Sequence, residues 1–206
     1  MSPRPDVSEE RKDQIITAAT KVFTKHGFAD ARMDDIVAES GLSKGALYWY
    51  FDSKDAIIVS ILDQIFDYET THVREILERE DSAKIKLEVF VDMTIKDIAK
   101  MKPLMPIFFD FWSLSVRKKN INQAMKRYYQ NFLDLIEPVI RQGISTGEFR
   151  RVDVKQTTLT IGAVFEGTIL MWAYFPEMID FDKQFRTTLD ILLQGIVADK
   201  QSTVKD

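Results

Sequence analysis

Met33-Asp34-Asp35-Ile36-Val37-Ala38-Glu39-Ser40-Gly41-Leu42-Ser43-Lys44-Gly45-Ala46-Leu47-Tyr48-Trp49-Tyr50-Phe51 is the stretch whose reading decides the fold. Met33, Ile36 and Val37 recur at helical steps, and Ser40-Gly41 ends the run because glycine takes the left-handed conformation that closes a helix. Leu42 is an apolar turn residue, Ser43 is a good N-cap, and Lys44 to Phe51 makes a second short helix. Two helices joined by so short a glycine turn have the spacing of a helix-turn-helix.

The same periodicity extends outward in both directions. Ile15, Ala18, Ala19, Val22 and Phe23 place a first helix at about 9–26, ended by Gly27. After Asp52-Ser53 a longer helix carries Ile57, Ile58, Ile61, Leu62, Ile65 and Phe66 on one face and runs towards Leu77. The charged connection 78–82 leads to Leu87, Phe90, Val91, Thr94, Ile98 and Met101, and Pro103 and Pro106 then break the chain. An aromatic helix follows from Ile107 to about Arg117. Ile121, Met125, Tyr128, Phe132, Leu135 and Val139 form a helix ended by Gly143 and Gly147, and two last helices cover about 154–175 and 182–198. The expected fold is all-α, with about nine helices and no strand: a three-helix helix-turn-helix domain over 9–56 and a helical bundle over 57–198.

With 206 residues, 45% hydrophobic, and 28 basic against 32 acidic side chains, the composition is that of a globular protein and excludes a disordered or low-complexity chain. The absence of cysteine excludes disulfides and thiolate metal sites, and His26 and His72 are too separated for a local metal pair. No metal and no cofactor are expected. The longest apolar stretch, Ile161 to Phe175, is interrupted by Gly162, Glu166 and Gly167 and is shorter than the roughly 20 residues of a membrane span. The first residues contain no apolar signal core, so the expected location is cytoplasmic, with no membrane partner.

Gly41-Leu42-Ser43-Lys44-Gly45 matches the spacing of a nucleophile elbow, but that motif needs a preceding strand and here an amphipathic helix precedes it. The one downstream histidine, His72, lies on the helix that follows almost at once, and no phosphate-binding glycine motif occurs, so no enzyme is expected. The second helix shows Ser43, Lys44, Gly45, Ala46, Tyr48, Trp49 and Tyr50 with no acid among them. A solvated turn would have the same shape, but the chemistry suits DNA. Hydroxyls and Lys44 bond phosphate oxygens, glycine admits the backbone, and Ala46 can touch a thymine methyl. Lys54 lies in the first turn of the next helix, where an anion is favoured.

Phe23-Thr24-Lys25-His26-Gly27-Phe28, then Met33-Asp34-Asp35-Ile36, then Gly41 through Asp55 closely resemble the DNA-binding domain of the TetR family of transcriptional regulators, over about residues 11–58. Ile140-Arg141-Gln142-Gly143 through Gly147-Glu148-Phe149-Arg150 is a frequent pattern of the same family. The resemblance implies a homodimer, commonly a repressor, that binds a palindromic operator in double-stranded DNA and is released by a small molecule. Activation in place of repression stays open. Carried over by position, it implies DNA contacts from Ser43, Lys44, Gly45, Tyr48, Trp49 and Tyr50 and a phosphate clamp at Lys54. The sequence departs from the family at Ala31-Arg32, where Ser or Thr usually caps the second helix. Arg32 replaces the cap with a longer arm towards phosphate.

Residues 1–60 hold eight Lys/Arg against ten Asp/Glu, so any DNA footprint must be local, with Arg4, Lys44, Lys54 and Arg32 as its cations. In the bundle, Met93, Phe108, Phe109, Trp112, Tyr128, Tyr129, Phe132 and Trp172 are candidates to line an apolar or amphipathic ligand site. Glu166, a carboxylate inside the most apolar helix, needs a partner, either on the ligand or across a dimer. Phe185, Leu189, Leu192, Leu193 and Ile196 of the last helix are candidates for dimerisation. The rival expectation is a helical ligand-binding or adaptor protein without specific DNA binding.

Overall fold

The computed structural model describes residues 7–198, leaving aside the side chains of 7, 67–72, 75 and 76. Among the described residues there are nine α-helices: α1 (Val7–Asp30), α2 (Met33–Ser40), α3 (Lys44–Tyr50), α4 (Lys54–Leu77), α5 (Ala83–Met101), α6 (Met105–Ser115), α7 (Lys119–Thr146), α8 (Val154–Tyr174) and α9 (Phe181–Ile196). The only β pairing there is an isolated bridge between Phe149 and Val197. The expected all-α architecture stands. Arg4, the side chain of His72 and the last eight residues lie outside what is described.

The chain forms two compact units, one comprising residues up to 67 with 101–128, the other 68–100 with residues from 129 onward. In the first unit α1 packs on α2 and on α6. Its core holds Phe23, Phe28, Ile36, Leu47, Ile57, Leu62, Ile107 and Phe111, with Phe23 and Phe28 ring centroids 5.3 Å apart. Gly27 (φ 73°, ψ 159°) breaks α1 as expected, and the last turn continues to Asp30 in a new direction. Proline does not act as a stop at 106. Pro103 lies in a 3-10 turn (Lys102–Leu104) and Pro106 in the first turn of α6, where its missing N–H costs no helical bond.

In the second unit α8 packs on α9. Thr158, Ile161, Phe165, Thr168 and Trp172 form its buried stripe, and Phe165 stacks on Phe185 at 4.7 Å. Outside that stripe α8 keeps apolar surface open, with Leu159 40%, Val164 42% and Met171 54% exposed. α7 runs past Gly143 to Thr146, and Gly147 (φ 77°) follows its end. Gly143 serves close packing instead of termination: a Cβ there would lie 2.2 Å from the Phe149 ring.

The turn after α7 ties three helices together. The Phe149 N–H donates to the Gly143 carbonyl at 2.9 Å, and Arg150 donates through its backbone N–H to Ile196 and through Nε to Gly195 at the end of α9. Glu148 accepts from the backbone N–H groups of Ala83 and Lys84, the orphan donors at the start of α5. Burial pushes the Glu148 carboxyl up, but these two N–H groups with the Thr146 and Ser82 hydroxyls hold it below the ordinary glutamate value. Its folded pKa is therefore depressed, so its contribution is present above the unfolded value and is lost as pH falls through the folded one. Glu148→Gln is expected to lower the free energy of unfolding by about 1 kcal/mol at neutral pH. Urea titrations of both proteins should show that gap closing as the pH is taken below the ordinary glutamate value and through the depressed folded one.

Candidate nucleic-acid interface

The helix-turn-helix is held by local bonds before any partner arrives. Gly41 (φ 68°) closes α2, its N–H donating to the Val37 carbonyl at 3.1 Å. The Gln14 side-chain amide of α1 donates to the Ser40 carbonyl at 2.7 Å, and the Leu42 N–H donates to the Ser40 hydroxyl, which fixes the turn against α1. Ser43 caps α3 by accepting the Ala46 N–H at 3.2 Å. Leu47 and Phe51 are buried and so set which way α3 faces.

The outward face then consists of Ser43, Lys44, Gly45, Tyr48 and Trp49, with Ala46 and Tyr50 half-buried beside it. Trp49 is 83% exposed and Tyr48 45%, an unfavourable display of ring surface in a free monomer. A Cβ built on Gly45 meets nothing within 4 Å, so nothing inside the chain requires glycine there. Lys44, the one cation of α3, pairs with Asp34 of α2 at 2.7 Å, and that hydrogen-bonded carboxylate raises its pKa. Asp34 was not foreseen in this position. Arg32 gives α2 no side-chain cap, and its arm is exposed. Half of the missing cap is restored by Asp35, whose carboxylate accepts the Arg32 backbone N–H at 2.8 Å.

Lys54 faces elsewhere than towards an anion. Its ammonium donates to the carbonyls of Phe28 (2.6 Å), Ala29 and Ala31, and it lies 4.7 Å from the Phe28 ring centroid. All three N–H donors are used in gathering the end of α1, which leaves none for phosphate. Burial, followed by the neighbouring Lys118 charge, lowers its pKa, while Asp55, Asp30 and Asp110 work the other way. Two further bonds surround the same junction. The Asp110 carboxylate of α6 accepts the Phe28 N–H at 2.8 Å, and Lys118 pairs with Asp55 at 2.7 Å. Asp110 carries the signal that singled out Glu166, an acid within an aromatic helix, and applying that test to 107–117 would have found it.

The candidate ligand residues divide between the two units. Phe108 is buried, Phe109 meets Trp112 edge-on at 5.8 Å, and Tyr128 stacks on Phe66 at 4.0 Å in the first. Met93, Tyr129, Phe132, Glu166 and Trp172 belong to the second. There Trp172 is buried against Phe181 of α9, and Glu166 accepts a hydrogen bond from the Tyr129 hydroxyl of α7. Within its own chain Glu166 thus has one neutral hydrogen-bond donor, the Tyr129 hydroxyl. Of the candidate dimer residues, Phe185, Leu189, Leu193 and Ile196 are buried within the chain and Leu192 is half-buried, whereas Ile191 is 63% exposed.

Two family models match the chain: bacterial regulatory proteins of the tetR family over residues 15–61, and the C-terminal region of BetI-type transcriptional repressors over 83–198. The fatty acid metabolism regulator protein of Bacillus subtilis is 23% identical, covering 89% of this chain and 94% of its own. The HTH-type transcriptional regulator YfiR of the same organism is 29% identical, covering 84% and 87%. SmeT, the repressor of a Stenotrophomonas maltophilia multidrug efflux pump, has been solved with triclosan. That complex shares the fold at a TM-score of 0.79 and 19% identity, over 96% of this chain and 98% of that one.

Lys54→Met would leave three carbonyls at the end of α1 without their donor. It is expected to lower the free energy of unfolding by about 1–3 kcal/mol, read as a lower urea midpoint at unchanged slope. A lysine that only faced solvent would show no shift.

Proposed function

The chain belongs to the TetR family of bacterial transcriptional regulators, and from that premise we propose that it is a homodimeric repressor, released from a palindromic operator by a small molecule. Residues 9–56 form the DNA-binding domain in this reading, and 57–198 bind ligand and dimerise. The observation that carries it is the outward face of α3, which is free of acids, rich in hydroxyls and ring surface, and has a glycine that nothing in the chain demands.

On this reading Ser43, Gly45, Ala46, Tyr48, Trp49 and Tyr50 meet the major groove and backbone, and Arg32 reaches phosphate. Lys44 must exchange Asp34 for DNA. With Lys54 committed to α1, each subunit neutralises few phosphates, so binding depends on two subunits acting together. The subunit contact is assigned to the open apolar residues of α8, Val164 and Met171 on one face and Leu159 on another, together with Ile191 of α9. These residues keep about half of their surface exposed, whereas Phe185, Leu189 and Leu193 of α9 are enclosed within the chain.

Release follows from continuity of the backbone. α4 and α7 each run without interruption from one compact unit into the other. A ligand that displaces either helix in the second unit moves Asp55 of α4 or Lys118 just before α7, which are paired beside the Phe28 junction. That displacement changes the separation of the two recognition helices from the one-turn spacing of operator half-sites.

Selection of bound duplexes from a random pool at two salt concentrations should recover a palindrome whose half-sites lie about one helical turn apart. No enrichment at low salt would sink the proposal. With that operator in hand, Gly45→Ala is expected to keep or raise thermal stability, since alanine is the better helix former by about 1 kcal/mol, and to weaken operator binding about tenfold or more. Unchanged operator affinity would remove Gly45 from the interface.

A further inference from the structure

We infer that the Glu166 carboxylate is the recognition point for the charged nitrogen of an organic cation with an apolar body, bound between α5, α7 and α8. The inference rests on the reading that this chain binds a small molecule, and it adds the class of that molecule.

α7 and α8 run antiparallel, with Tyr129 opposite Glu166 and, one turn along, Phe132 opposite Gly162. A Cβ on Gly162 would lie 2.8 Å from the Phe132 ring, so the glycine lets that ring lie close to the α8 backbone. From α5, Phe90 approaches Phe132 at 6.1 Å and Phe165 at 6.5 Å between centroids. An aromatic group from α5, α7 and α8 therefore lies about one helical turn from the carboxylate that Tyr129 touches. Phe90, Met93, Tyr129, Phe132 and Glu166 all stay half-buried, so the group is reachable from solvent.

The charge itself is uncompensated. Oε2 of Glu166 accepts the Tyr129 hydroxyl, a neutral donor, and neither oxygen forms any other hydrogen bond or an ion pair with a described residue. A half-buried carboxylate beside aromatic side chains is costly without a counter-charge, and the described residues supply none. A cationic nitrogen meets both needs at once, since it pairs with the free carboxylate oxygen and its alkyl or N–H face lies against ring surface. The same charge excludes a carboxylate ligand of equal size. Tyr129 is a positioning residue: its hydroxyl holds one carboxylate oxygen and leaves the other for a ligand.

The test uses three probes of one chain length, decyltrimethylammonium below its micellar concentration, decanol and decanoate. They are titrated calorimetrically into the full-length protein without DNA, and decylamine distinguishes N–H donation from cation–ring contact. Wild type is expected to bind the two cations about tenfold or more tighter than decanol and to show no heat with decanoate. Glu166→Gln should remove the preference for the cations while leaving decanol binding within a factor of about two. Glu166→Asp should restore part of it, which also guards against a folding defect in the glutamine variant. Equal affinity of wild type for cation and alcohol, no binding of any probe, or an unchanged preference in Glu166→Gln overturns the inference and reduces the Tyr129–Glu166 bond to a tie between helices. Operator release is scored separately. Cation binding without release would uphold the site and overturn the repressor mechanism, whereas release by decanol or decanoate alone would uphold the mechanism and overturn the site.

Discussion

Three carbonyl oxygens at the end of α1 point at one ammonium group, and much of the first compact unit is organised around that meeting. Gly27 turns the chain so that Phe28, Ala29 and Ala31 present their carbonyls together, and Lys54 at the start of α4 satisfies them. On the other side Asp110 satisfies the Phe28 N–H. The junction thus joins α1, α4 and α6 through obligatory backbone groups, which cannot be left unpaired when buried.

In the second unit the corresponding constraint is steric. Gly143 and Gly162 are each placed where a ring occupies the space of a Cβ, Phe149 at one and Phe132 at the other. With Phe149 seated there, Glu148 and Arg150 of the same turn reach the start of α5 and the end of α9, and through Phe132 α7 settles close against α8. Neither glycine has a positive φ. What they provide is proximity, and at Gly162 that proximity leaves the Glu166 carboxylate among rings with only a phenol for company.

Helix boundaries were legible because their causes are local: Gly41 beyond α2, Ser43 before α3, and alternating three- and four-residue apolar steps along α7. The position of Gly143 was legible but its role was not, since a glycine late in a helix pattern reads as a stop unless the ring that fills its space is known. Lys54 was misleading for a related reason. Its place in the first turn of α4 suggested an anion, but the carbonyls that hold it come from residues about 25 positions earlier. Asp35 replacing half of the absent cap at Arg32 was within reach of the sequence, because an acid three residues after an N-cap is a capping-box signal.

The sequence by itself determined the helices, their order, the turn between α2 and α3, and the chemistry displayed by α3, because these depend on periodicity, caps and glycine conformations acting over a few residues. Tertiary structure decided which apolar residues were left over. Phe185, Leu189 and Leu193 have the same hydrophobic character as Leu159, Val164 and Ile191, yet the first three are enclosed and the last three are open. Composition cannot separate them, since the face a helix turns inward is fixed only by the neighbour it packs against. The same holds for Lys44, Lys54 and Glu166, whose available charge depends on whether Asp34, a set of backbone carbonyls or a tyrosine hydroxyl lies within bonding distance.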